Sequence, residues 1–212
     1  MQPKKELLKK SRLYVIIDKR VLRHKDVSSV AVKTRDSGAD IIQFRDKVSK
    51  RDSIVKNAFL LHKLLSKNKA IYIVNDYLDI AKIFDADGIH LGQSDTSIEV
   101  ARSVLGNDKI IGISCHNLKE AIDAQKKGAD YIGIGPLFTT LTKPTNRKTI
   151  SPGLIKKLQK KIKIPFFVIG GINKDNINRL TALGLNRAAI SNAILTSKDI
   201  TKATRYFSKA LN

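Results

Sequence analysis

Eight short apolar runs, each followed by a stretch with helical spacing, constrain this chain more than any other feature. The runs are Leu13 to Ile17, Ile41 to Lys47 (apolar, then charged), Ala70 to Val74, the one that opens Gly88-Ile89-His90-Leu91-Gly92-Gln93-Ser94-Asp95, Ile110 to Ile113, Tyr131 to Ile134, Phe166 to Ile169 and Arg187 to Ile190. They are of strand length, rich in β-branched residues and largely apolar without alternation, as in strands buried on both faces. Helices are predicted between them at Val27 to Ser37, Asp52 to Ser66, Leu78 to Ile83, Ser97 to Leu105, Leu118 to Lys127, and from Ser151-Pro152-Gly153 to Lys160. Two more run from an Asn173 cap to Ala182 and from Asp199 to Ala210. The turns Ser37-Gly38-Ala39-Asp40, Ala86-Asp87-Gly88 and Lys127-Gly128-Ala129-Asp130 recur just before the second, fourth and sixth strands. Such alternation implies a parallel sheet, and eight units close most naturally into a compact single-domain (β/α)8 TIM barrel, an α/β fold. The rival is an open doubly wound sheet, but no GxGxxG follows the first strand. One domain is expected over residues 1–212, with residues 1–12 a basic N-terminal helix or arm.

Composition narrows the class further. No apolar run approaches membrane-spanning length, and the basic start is not followed by an apolar signal region. The single Cys115 cannot form an intramolecular disulfide, so the expected compartment is the cytoplasm. A net charge of +21 and a pI of about 10.1 bring nucleic acid into consideration. Yet the cations are spread along the whole chain, no Trp is present, and the aromatics do not interleave with the basic residues as a stacking platform would. Small-molecule partners are expected, with no specific nucleic acid and no membrane; homo-oligomerisation is left open.

In a barrel the active face lies at the carboxyl ends of the strands. Those ends carry Gln43, Arg45 and Lys47; Asn75 and Asp76; His90 and Asp95; Ser114; Thr140, Thr142 and Lys143; Gly170 and Gly171; Ser191 and Asn192. Packing does not explain polar residues at so many ends in one layer. The loop after Gly133-Ile134-Gly135-Pro136 offers three hydroxyls and an ammonium, which suits an anion, most plausibly phosphate; the bland alternative is a solvated surface loop. Arg45, Lys47 and Lys143 match phosphate oxygens by fork and point charge. Asp76 and Asp95 would repel phosphate unless Mg²⁺ sat between, so the set suggests a Mg²⁺-diphosphate site. A second phosphate subsite is expected at the backbone amides of Gly170-Gly171 and Ile190-Ser191.

The motifs Gln43-Phe44-Arg45-Asp46-Lys47, Asn75-Asp76, Gly88-Ile89-His90-Leu91-Gly92-Gln93-Ser94-Asp95, Gly135-Pro136-Leu137-Phe138 with Thr140-Leu141-Thr142-Lys143, and Ile169-Gly170-Gly171-Ile172 resemble, in order, those of the thiamine phosphate synthase family. The resemblance implies a transferase that joins a hydroxymethylpyrimidine diphosphate to a thiazole phosphate, giving thiamine phosphate and pyrophosphate. It makes Arg45, Lys47, Asn75 and Lys143 diphosphate contacts, with Ser114 and Thr140 completing that pocket and Thr142 the loop. Arg45, Lys47, Asn75, Ser114 and Lys143 would carry the catalysis. Asp76 and Asp95 would hold Mg²⁺, Gln43 would meet the pyrimidine, and Gly171, Ile190 and Ser191 would hold the thiazole phosphate. Thr139 stands where the family usually has Pro.

Two other readings compete. A thiazole tautomerase-like isomerase often has Gly-His where this chain has Gly135-Pro136, and it needs no diphosphate pocket. A non-catalytic phosphate-binding barrel predicts erosion of the strand-end set, and only Thr139 departs. His90 and His116 are either ligand contacts or structural, and Cys115 reads as a small packed residue because no catalytic partner can be identified.

Overall fold

A computed structural model describes residues 4–66, 70–139 and 148–212. Its strands are β1 (Leu13–Asp18), β2 (Ile41–Arg45), β3 (Ile71–Asn75), β4 (Gly88–Leu91), β5 (Ile110–Cys115), β6 (Tyr131–Ile134), β7 (Phe166–Ile169) and β8 (Ala188–Ile190). They pair in chain order, all parallel, and β1 closes on β8. The helices are α1 (Lys4–Lys10), α2 (Lys19–Leu22), α3 (Val27–Arg35), α4 (Arg51–Leu65), α5 (Leu78–Ile83), α6 (Ile98–Leu105), α7 (Leu118–Lys126), α8 (Pro152–Lys161), α9 (Ile177–Thr181), α10 (Asn192–Leu195) and α11 (Ile200–Leu211). This is the (β/α)8 barrel expected from the alternation. Among the described residues no helix is long and apolar enough to cross a membrane.

Two apolar layers hold it. The outer one packs helices on strands through residues such as Val15, Ile42, Ala58, Leu61, Ile111 and Phe207. The inner one fills the barrel with Tyr14, Ile16, Ile41, Ile71, Ile73, Ile110, Tyr131, Phe167 and Ala189. Tyr14, Tyr131 and Phe167 meet edge to face with ring centroids 5.4 to 5.8 Å apart, the arrangement aromatic quadrupoles favour. Gly112 makes room for one of these rings: a Cβ there would lie 2.0 Å from Cζ of Tyr131. Leu8 joins the inner layer from α1, so the first helix seals the amino-terminal end of the barrel.

The recurring turns now have a physical reason. Asp40 Oδ2 accepts from the Arg12 and Leu13 amides, Asp87 Oδ2 from Tyr72, and Asp130 Oδ2 from Ile111. Each aspartate before an even strand thus ties up an amide at the start of the odd strand beside it. Lys4 and Lys5 of α1 then pair with Asp87 at 3.0 Å and Asp130 at 2.8 Å, which pins the seal in place.

Local geometry departs from the sequence reading at three places. The short helices α2 and α10 follow β1 and β8 directly and are too brief to leave a periodic signal. The α9 helix starts at Ile177 and not after Asn173. Asn173 Oδ1 instead accepts from the Asp175 and Asn176 amides, a side-chain turn that competes with helix formation over those residues.

Replacing Asp40 with Ala orphans two amides at the foot of β1. Each buried donor left unsatisfied costs about 1–3 kcal/mol, so thermal unfolding should begin several degrees lower. Asp40 lies at the end away from the polar rim, so activity at a permissive temperature should be retained. An unchanged melting temperature would show that water replaces the carboxylate without loss.

Candidate active site

The carboxyl end of β2 supplies three of the expected residues at different depths. Lys47 stands beyond the strand, its Nζ 2.6 Å from Asp76 Oδ2. Arg45, at the end of the strand, is 9% exposed, and its Nη1 pairs with Asp18 at the end of β1. Gln43 lies deeper than the sequence reading placed it: it is buried, and its Nε2 donates to the Tyr14 hydroxyl at 2.7 Å. Between these residues Asp46 is buried; Oδ1 accepts from the Val48 and Ser49 amides and fixes the turn that presents Lys47.

Strands β3 and β4 bring the two expected metal ligands together. Asp76 follows the buried Asn75 with φ at +64, a left-handed conformation that Asp and Asn tolerate best among residues with a Cβ. Its amide donates to His90 O at 2.9 Å, which ties the turn to β4. Asp95 Oδ2 accepts from the Gly92 amide at 2.6 Å, and its carboxyl lies within hydrogen-bonding reach of Asp76. Burial chiefly, with the Asp95 carboxyl, raises the Asp76 pKa above the ordinary value, against the pull of Lys47. Burial also works upward on Asp95, but the Gly92 N–H, Asp76 and the charges of Lys47 and His90 carry it below. Two carboxyls crowded so that one resists ionisation, with a cation already against them, form a donor set that a divalent cation would relieve. Among the described residues no three His, Cys, Asp or Glu side chains cluster, so the protein offers such an ion two carboxylates.

Ser114 at the end of β5 has its Oγ 2.9 Å from His90 Nε2, and His90 Nδ1 lies 2.9 Å from the Tyr131 hydroxyl. His90 therefore faces into the barrel. His116 Nδ1 and its own amide both engage Glu120 Oε2, at 2.9 and 2.8 Å, which anchors it to α7. Cys115 is buried, and burial pushes its thiol pKa up to about 12, so it is a packed residue without thiolate character. Thr140, Thr142 and Lys143 lie outside the described residues.

At the far side, β7 runs into Gly170 and Gly171, with φ of +103 and +64. A Cβ on Gly171 would lie 2.3 Å from Thr139 O, so only glycine lets the loop after β6 cross here. Leu137 and Phe138 donate their amides to Ile169 O and Gly170 O, which lays that loop along the end of β7. Ser191 follows Ile190 at the end of the neighbouring β8, and its Oγ is buried without a hydrogen-bond partner among the described residues.

The rim thus gathers Lys47, Asp76 and Asp95 into one cluster, links Gln43 to Ser114 through interior side chains, and sets Gly171 and Ser191 on adjacent strand ends. Sequence reasoning missed Asp18, the partner of Arg45, and the interior hydroxyls of Tyr14 and Tyr131. Asp18 closes an apolar strand and read as a mere strand end, while the tyrosines read as core.

Known proteins resemble this chain along most of its length. Residues 13–194 match the family model described as thiamine monophosphate synthase. The chain is similar to the thiamine-phosphate synthase of Methanosarcina mazei, 39% identical over 96% of this chain and 84% of that protein. The thiamine-phosphate synthase of Clostridioides difficile is 40% identical over 93% of this chain and 94% of its own. The solved structure of thiamine phosphate pyrophosphorylase from Pyrococcus furiosus superposes with a TM-score of 0.85 at 36% identity, covering 97% of both chains.

The raised pKa of Asp76 has a consequence for stability. An acid whose folded pKa is raised penalises the fold in its ionised form; the penalty is absent below the unfolded pKa and complete above the folded one. Asp76→Asn removes it and suits the left-handed backbone. Without Mg²⁺, the variant should melt at or above the wild-type temperature at pH 7, and the difference should shrink as pH falls through the carboxylate range. A clear loss of stability at pH 7 would show that the Lys47–Asp76 pair holds the fold.

Proposed function

Because the chain belongs to the thiamine monophosphate synthase family, we propose that its rim joins a hydroxymethylpyrimidine diphosphate to a thiazole phosphate, releasing pyrophosphate and forming thiamine phosphate. The observation that carries the reading is the Lys47–Asp76–Asp95 cluster, which suits a metal-bound diphosphate. Asp76 and Asp95 would hold Mg²⁺, which when bound offsets the negative charge of the diphosphate. The thiazole tautomerase-like reading has no use for that cluster.

The chemistry asked of the protein is positioning and charge. Arg45, held by Asp18, keeps the rest of its guanidinium for diphosphate oxygens; Lys47, Asn75 and Ser114 add donors, as would Lys143 and Thr140 from the loop after β6. These groups stabilise the pair of electrons that leaves with the C–O bond as pyrophosphate departs. The electron-rich pyrimidine, placed near Gln43, supports the methylene cation left behind. The thiazole nitrogen then donates its lone pair to that carbon and forms the C–N bond. No proton needs to be abstracted, and the buried, high-pKa Cys115 is not called on.

The thiazole phosphate is assigned to Gly171, Ile190 and Ser191, whose buried hydroxyl would gain an acceptor. The protein is read as a cytoplasmic catalyst of small molecules with no specific nucleic-acid partner; any binding of DNA to its basic surface would be weak and lost by physiological salt.

Incubation with both substrates and Mg²⁺ should yield thiamine phosphate and pyrophosphate in equal amounts; no product at saturation would sink the proposal. Arg45→Ala and Lys143→Ala should each lower kcat/KM on the order of a hundredfold or more. Asp76→Asn and Asp95→Asn should each raise the Mg²⁺ concentration giving half-maximal rate. The double variant should lose less than the product of the single losses, because the first change already weakens the shared ion. Single variants with wild-type Mg²⁺ dependence would remove these residues from the metal site.

A further inference from the structure

Gly171 sits where the orientation of one peptide decides what the rim offers. Its φ of +64 and its missing side chain leave the peptide after it little resistance to rotation. One orientation turns the N–H of that peptide toward a ligand and the flipped one its C=O, because the two point opposite ways across a trans bond. Among the described residues, neither the Gly171 nor the Ile172 amide finds an acceptor. The Gly171 carbonyl, by contrast, is held: Asn176 Nδ2 donates to it at 2.8 Å.

The side chain of Asn176 is itself fixed. Its Oδ1 accepts from the Asn173 amide at 2.9 Å, and Asn173 Oδ1 accepts from the Asn176 amide at 3.1 Å. A turned Asn176 amide would set donor against donor at Asn173 and oxygen against oxygen at Gly171, so both contacts specify the same orientation. Nearby, the Arg179 guanidinium lies over the Phe138 ring, 5.3 Å from its centroid, and the Phe138 amide donates to Gly170 O. The segment leading into α9 thus braces Gly170 and Gly171 from two directions.

A phosphate ester presents oxygens, which an N–H attracts and a carbonyl oxygen repels. Given the proposed place of the thiazole phosphate at Gly171, on which this inference rests, we propose that Asn176 is a positioning residue of that subsite. By holding the Gly171 carbonyl, it keeps that oxygen away from the ester and leaves the flanking N–H groups to receive it. Asn176 touches no substrate in this role. Its loss frees the peptide to flip, so the cost falls on capture of the thiazole phosphate and not on the diphosphate side of the rim.

Steady-state kinetics with both substrates separate this role from a merely structural one. Asn176→Ala should raise KM for the thiazole phosphate about tenfold or more, while kcat and KM for the pyrimidine diphosphate stay within about twofold. Asn173→Ala loosens the same turn but leaves Asn176 both of its partners. It should lower the melting temperature and leave both KM values within about twofold. Equal rises in the two KM values of Asn176→Ala, no rise in either, or the same selective rise in Asn173→Ala would overturn the proposal. If Asn176→Ala does not fold, Asn176→Asp keeps the acceptor for Asn173 and loses the donor to Gly171. Its selective rise should persist at high salt, measured against the wild type at the same salt; a rise that salt abolishes belongs to the new charge and overturns the proposal. Calorimetric titration with the thiazole phosphate, in the presence of Mg²⁺ and pyrophosphate, reads the subsite without turnover and should show the same weakening in Asn176→Ala. A wild type that binds the thiazole phosphate but forms no thiamine phosphate would overturn the function and leave this inference to the titration. A wild type that does neither overturns both.

Discussion

The ladder between β1 and β8, with Leu13 opposite Ala188 and Val15 opposite Ile190, is the contact on which everything else depends. Without it the eight strands form an open sheet with two edges, and the strand ends spread along a line. With it they become a ring, and residues as distant in the chain as Asp18 and Ser191 face one shared space. Closure also makes the molecule two-ended. One end is tied by aspartates that accept from strand amides and by the lysines of α1; the other carries crowded charge. The same side chain, aspartate, therefore ties strand amides at the foot and crowds against its own kind at the rim.

Electrostatic crowding at the described part of the rim is managed by pairing Arg45 and Lys47 each with an acid that does not neutralise it fully. Asp18 takes one nitrogen of Arg45 and leaves the fork partly free. Lys47 rests on Asp76 and at the same time eases its contact with Asp95. Such pairs keep long side chains in place before a ligand arrives, which reduces the ordering cost of binding. The half-exposed Lys47–Asp76 pair contributes little to the fold, whereas the buried Arg45–Asp18 pair cannot lose one partner without a cost in stability.

The alternation of apolar runs with helical stretches made the barrel legible in the sequence, because strand and helix periods differ and eight units have few ways to pack. Polar residues after the runs marked the rim, since nothing else explains them there. The interior line was not legible. In a parallel barrel both faces of a strand are buried, so Tyr14 and Tyr131 look the same whether they point inward or outward. The pairing of Asp18 with Arg45 was hidden too, because it depends on the register between β1 and β2. Asn173 misled for a local reason: its side chain found amides at two and three residues' distance and closed a turn where a helix cap was expected.

The clamp at the foot of the barrel is not repeated all the way round. Before β8, the position of the recurrent aspartate is held by Arg187, whose guanidinium reaches back to the carbonyls of Lys9 and Ser11. An arginine there has no carboxylate with which to grip β7, and among the described residues β7 and β8 pair over a short register, Val168 with Ala188 and Ile169 with Ala189, with the Val168 amide donating to Arg187 O. The least fastened quarter of the hoop is thus the one that ends in Gly171 and Ser191. A phosphate ester bridging those two ends would act as the missing fastener at the opposite rim. Occupancy and resistance to heat would then draw on one free energy, and the barrel would be sturdiest when full.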